Sequence, residues 1–144
     1  MNCKLPPEVQ AYLEAVEADK PRACPEQHAL AAHIRRCFET EDLLVNTEQL
    51  RRYLSLSRYF PYKDLFLWEQ FLTALWMCTY TSDGRPRWKT LFSMVGRGAG
   101  KDGFIAFISM CATSPYNPVG SYNVDICANN EEPAMTPVLD MVNT

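Results

Sequence analysis

A glycine-dense run, Gly96-Arg97-Gly98-Ala99-Gly100-Lys101-Asp102-Gly103, most constrains what this chain can fold into. It holds four of the six glycines in the chain. Before it stands Arg87–Val95, whose aromatic and β-branched content reads as a short buried strand. After it stands Phe104–Thr113, which reads as a helix of mixed apolar character. Strand, glycine loop and helix are the context a phosphate-binding loop needs. Glycines let successive N–H groups turn inward toward phosphate oxygens. The helix N-terminus adds partial positive charge. A lysine just after the last loop glycine brings an ammonium to the β- and γ-phosphates, and Gly100-Lys101 is such a pair.

Two positions depart from the pattern G-x-x-x-x-G-K-[ST]. Val95 stands where the first glycine belongs, with Gly96 one residue late. Asp102 replaces the hydroxyl residue that normally meets Mg²⁺. An aspartate can ligate Mg²⁺, but it also sets negative charge beside a triphosphate. The same glycines fit a dinucleotide fingerprint, Gly98-x-Gly100-x-x-Gly103, with Asp125 22 residues further on. Lys101 inside that fingerprint, and Asp125 inside a strand rather than at its end, weigh against it. A third reading is a glycine turn with no ligand, in which Lys101 is a solvated first-turn residue.

The rest of the chain supplies the frame. Residues 1–82 read as a helical region and 83–144 as the start of a second domain. Glu8–Ala18 carries Val9, Tyr12, Leu13 and Val16 at helical spacing. A second helix begins near Pro25 and runs to about Phe38. A third starts at Asn46 or Thr47. Asp64 is expected to cap a fourth over Asp64–Tyr80. Turn chemistry at Ser82, Asp83, Gly84 and Pro86 ends the helical part. Pro115 and Pro118 end the helix after the glycine loop, and Tyr122–Ala128 reads as a second strand. The expected fold is α/β: two parallel strands joined through the loop and helix, preceded by a helical region.

Composition narrows the function classes. In 144 residues, 47% are hydrophobic and the formal charge is -3. That excludes global disorder and a strongly basic module held mainly by phosphate neutralisation. No apolar run reaches the roughly 18 residues of a membrane span, and no signal core opens the chain. The six scattered cysteines form no C-x-x-C pair and read as reduced, mostly buried thiols.

The stretch from Phe60 to Ala106 resembles the ATPase front of the large terminase subunit of tailed bacteriophages. Carrying the resemblance are Trp68-Glu69-Gln70-Phe71, Asp83-Gly84, Arg87-Trp88-Lys89 and Arg97–Lys101, followed by Val124–Glu132. It covers about residues 20–135 and is most specific over 60–132. The resemblance implies a P-loop NTPase sheet in an ATP-driven motor that packs double-stranded phage DNA. A small terminase subunit and a portal would be its partners, in the cytoplasm of a bacterial host. The full-length protein would act as a homo-oligomeric ring with no membrane role. By position, Lys101 meets the β- and γ-phosphates and Arg97 senses or polarises the γ-phosphate. Gly96, Gly98, Ala99 and Gly100 cradle phosphate, and Asp102 faces Mg²⁺. Glu69 or Gln70 contacts adenine, and Trp68 stacks or packs. No hydrophobic run ending in Asp-Glu and no set of nuclease carboxylates is present, so turnover of ATP by this chain alone is not expected. Pro133 and Pro137 interrupt a segment that is helical in the family. A fragment, a split reading frame or a catalytically inactive prophage remnant serving as an interaction module would fit.

Other constellations have plainer readings. Cys24, His28, His33 and Cys37 form two i,i+4 pairs that point in different directions, which suits no single tetrahedral metal site. Arg35, Arg36, Arg51, Arg52 and Arg58 could make a basic strip for DNA. Glu39, Glu41, Asp42 and Glu48 lie among them and favour a solvated mixed face. Phe66, Phe71 and Trp76 read as core, and neither Cys111 nor Cys127 is marked as a nucleophile.

Overall fold

The computed structural model describes residues 5–60, 64–129 and 135. The protein is a mixed α/β chain, mainly helical, with a small two-stranded antiparallel sheet. It divides into two compact units, residues 1–50 with 66–91, and residues 51–65 with 92–144.

The first unit is built on α1 (Pro7–Glu17) and α2 (Pro25–Thr40). Each starts with a proline in its first turn, where the missing N–H costs nothing and φ is already helical. In α2 the Gln27 side chain reaches back to accept the Cys24 N–H at 2.9 Å. Val9, Leu13 and Val16 of α1 and Ala31, Ile34, Cys37 and Phe38 of α2 are buried. Then come β1 (Leu43–Val45) and α3 (Thr47–Ser55), whose first turn is held by the Asn46 side chain accepting the Gln49 N–H at 3.0 Å.

The fourth helix differs from expectation at both ends. Asp64 does not cap it. α4 spans Leu67–Leu72, and Glu69 accepts the Phe66 N–H at 2.8 Å. The helix then widens into a π-helical turn over Thr73–Met77 and stops. Thr79–Thr81, expected to be helical over most of its length, forms β2 and pairs antiparallel with β1. The register sets Leu43 opposite Thr81, Leu44 opposite Tyr80 and Val45 opposite Thr79. The tail Thr79-Tyr80-Thr81 is β-branched and aromatic, so a paired strand suits it better than a further helical turn. Tyr12 and Phe71 stack at 4.1 Å between α1 and α4. Glu41 accepts two hydrogen bonds from Arg87, at 2.5 and 2.8 Å, and holds the segment after β2.

The second unit holds the end of α3 from Arg51, a 3-10 turn over Leu56–Tyr59, and α5 (Lys101–Thr113). Tyr53, Leu56, Phe60, Phe104, Ala106, Phe107, Cys111 and Ala112 are buried in it. Phe60 and Phe107 meet edge to face at 6.0 Å. After α5 the Asn117 side-chain amide donates to the Ala112 carbonyl at 2.6 Å and fixes the turn.

The expected strands over 87–95 and 122–128 do not form, and the parallel pair is absent among the described residues. Phe92 and Met94 stand 85% and 87% exposed where a buried strand would hide them. The strand reading failed because pairing is non-local: 87–95 meets β2 only at its start, where the Arg87 N–H donates to the Thr79 carbonyl at 3.0 Å, and 122–128 pairs with no strand among the described residues. Asn130–Glu132, Pro133 and Pro137 lie outside the described residues. Among those described, no helix is long and apolar enough to cross a membrane.

Candidate functional site

The glycine loop passes directly into α5. Gly98 and Gly100 both take left-handed backbone conformations, with φ of 80° and 83°. Only glycine adopts these without cost, so the sequence sets the loop's path locally. The Ala99 N–H donates to the Gly96 carbonyl at 3.3 Å and closes the turn. A Cβ at Gly96 or Gly98 would meet nothing within 4 Å. Backbone freedom, not crowding, is therefore what Gly98 supplies, and Gly96 is held by neither constraint.

Gly100 is the residue before the first helical position. Its carbonyl accepts the Phe104 N–H at 3.0 Å, which is the first bond of the helix. The N–H groups of Lys101, Asp102 and Gly103 precede that bond, and no side chain caps them. They form the positive end of the helix dipole. The Lys101 and Asp102 side chains are 51% and 54% exposed, with Nζ 3.8 Å from Oδ1. Arg97 is exposed. The loop thus offers backbone donors and two cations to an anion arriving from solvent, with one carboxylate competing for the lysine.

Among the described residues, Asp102 has no partner ligands with which to form a metal site of its own. Among the described residues, no group of three His, Cys, Asp or Glu could hold an ion. Mg²⁺ commonly takes one or two carboxylates and fills its shell with water and substrate phosphate. Asp102 fits Mg²⁺ in that mode, as a single protein oxygen.

Trp68, Glu69 and Gln70 lie on α4 in the first unit, and the loop belongs to the second. Trp68 and Gln70 are half-buried, and Glu69 is buried. Burial pushes the Glu69 carboxyl above the usual range, and the Phe66 N–H opposes that shift in part. Glu69 is engaged in capping its own helix. The signal for this was in the sequence as Phe66-x-x-Glu69, the spacing of a capping box without the usual hydroxyl residue.

The paired cysteines and histidines of α2 find separate neighbours. His28 Nε2 lies 3.4 Å from Asp19, and His33 Nε2 lies 3.4 Å from the Cys37 thiol. Cys37 is buried, and burial raises its pKa, which disfavours the thiolate. No family model, curated protein or solved structure matches this chain.

Proposed function

We propose that the chain binds a nucleoside triphosphate through Gly96–Lys101 at the start of α5, as the front part of an ATP-driven DNA-packaging motor of the large-terminase kind. One observation carries the reading: two left-handed glycines lead straight into a 13-residue helix whose first turn has no side-chain cap and whose first residue, Lys101, has an exposed side chain. Loop N–H groups and those of Lys101 and Asp102 would hold phosphate oxygens. Lys101 would neutralise the β- and γ-phosphates, and the exposed Arg97 would sense or polarise the γ-phosphate. Asp102 would hold Mg²⁺, which would supply charge neutralisation there. The P-loop sheet, the DNA, the small subunit, the portal and the ring belong to this same proposal.

A second reading has its own support. The Lys101–Asp102 contact at 3.8 Å ties up the cation a triphosphate needs, and residues 87–95, which lead into the loop, form no strand. A binding module that keeps the helical frame with a weakened phosphate site fits both facts. Titration of the purified chain with ATP, ADP and NAD in Mg²⁺ separates the readings. Lys101→Ala should weaken ATP binding by about tenfold or more, as expected for loss of a charged contact worth about 1.5–3 kcal/mol. NAD binding that ignores Lys101, or no nucleotide binding by the folded chain, would overturn the triphosphate reading.

A further inference from the structure

Arg35, Arg36, Arg51, Arg52 and Arg58 are divided between the two units. Arg35 is paired with Glu17, and Glu41, which lay among them in sequence, is taken by Arg87. Those residues belong to the first unit. Arg51, Arg52 and Arg58 belong to the second; Glu48 stands one helical turn before Arg51 and Arg52 on α3, and no acidic residue follows it up to Tyr59. Tyr53, Leu56 and Phe60 turn inward and are buried, which leaves Arg51, Arg52 and Arg58 exposed on the outer side. Arg52 lies over the Tyr116 ring at 5.6 Å, and Arg58 over the Tyr59 ring at 5.2 Å. Both tyrosines are exposed.

We propose that this arginine–tyrosine strip, on the last turn of α3 and the 3-10 turn after it, binds the phosphate backbone of a nucleic acid. A guanidinium stacked on a ring keeps its full charge and its N–H edge, which is the group that meets phosphate. Arg51 and Arg52 have further partners of their own, so phosphate joins or exchanges with those contacts. From Arg51 to Arg58 the chain rises about 12 Å. At about 3.4 Å of helix axis per phosphate on one strand, that length spans about three phosphates. An anionic membrane is the poorer partner, because a surface helix enters lipid through an exposed apolar face, and here that face is buried. The strip uses none of the glycine-loop residues, so it stands whether or not the loop binds nucleotide.

The test is binding of the full chain to a labelled DNA duplex of about 20 base pairs between about 25 and 200 mM salt. Each phosphate contact contributes about 0.9 to the slope of log K against log salt. Arg51→Gln with Arg52→Gln and Arg58→Gln should lower that slope by about 2.7. The charge-matched control, Lys20→Gln with Arg22→Gln and Arg36→Gln in the first unit, should leave it unchanged. Arg58→Gln alone, which gives up its contact with Tyr59, should lower it by about 0.9 and covers the case in which the triple variant does not fold. ATP titration of the same variants should be unaffected, which separates failure of the strip from failure of the loop. Absence of duplex binding at the lowest salt overturns the proposal. An equal loss in the control also overturns it, since net charge would then be responsible. So does strip-dependent binding to phosphatidylglycerol vesicles without strip-dependent binding to DNA.

Discussion

Replacing Asp102 with serine should tighten ATP binding, although it removes a candidate metal ligand. In the protein the Asp102 carboxylate lies 3.8 Å from the Lys101 ammonium. Two unit charges at about 4 Å attract by about 1 kcal/mol in water and by about 4 kcal/mol at an effective dielectric of about 20. Both side chains are more than half exposed, so the lower figure applies. An arriving phosphate must compete with that attraction and bear repulsion from the same carboxylate. Removing the charge is therefore worth about 1 kcal/mol or a little more, which is about fivefold in affinity. Serine also restores the hydroxyl that such loops offer to Mg²⁺. Asp102→Asn separates the two effects, because it removes the charge without adding the hydroxyl. Calorimetric titration with ATP, in Mg²⁺ and then in chelator, reads both. The expected order of affinity is Asp102→Ser first, Asp102→Asn second and the unaltered chain third. Mg²⁺-dependent binding weakened by both substitutions would refute the reasoning, because the metal contact of Asp102 would then outweigh its opposition to the phosphate.

Two further changes test the loop and the helical frame. Gly98→Ala places a side chain at φ 80° and should cost about 1–2 kcal/mol of local stability through backbone strain alone; it should show as faster amide exchange at the start of α5, and unchanged exchange would mean that this conformation is not needed. Glu69 has a raised folded pKa, so the native state holds its proton more tightly than the unfolded chain does. Its contribution is full below about 4.5 and is lost as pH rises through the folded value. Glu69→Gln keeps the acceptor for the Phe66 N–H and removes the buried charge. Urea unfolding of this variant should therefore depend less on pH between about 4.5 and 8, with a gain in stability at the upper end, and a larger pH dependence would contradict the assignment.

The helices were legible because their information is local. Pro7 and Pro25 mark first turns, Asn46 marks a cap, and the apolar spacing of Val9, Leu13 and Val16 marks a buried face. The end of α4 was not legible. Thr79–Thr81 follows the helical run directly in sequence; its β-branched and aromatic residues permit a strand, and pairing with Leu43–Val45 makes it one. The same cause misled the reading of 87–95 and 122–128, where β-rich composition was present but, past the Arg87 bond to Thr79, pairing among the described residues was not. The glycine loop was legible as a conformation, since Gly98 and Gly100 adopt the left-handed backbone that their lack of a Cβ allows. Its chemistry was legible only in part. Sequence placed Asp102 beside Lys101, and the structure added that the two side chains approach each other.

These different origins decide how the nucleotide experiment is to be read. The turn of the loop is set by Gly98, Gly100 and the bond from Ala99 to Gly96, and its donors are set by the first turn of α5. None of these depends on a strand before the loop. A strand would add a stiff anchor at the Val95 end and so reduce the entropy lost when phosphate orders the loop. On the triphosphate reading, its absence over residues 87–95 would lower affinity without removing the donors. If the unaltered chain fails to bind ATP while the Asp102→Ser variant binds, charge next to Lys101 is the defect. If neither binds and α5 is intact, the loop's local geometry is not sufficient, and the strand is the part of the phosphate site that matters.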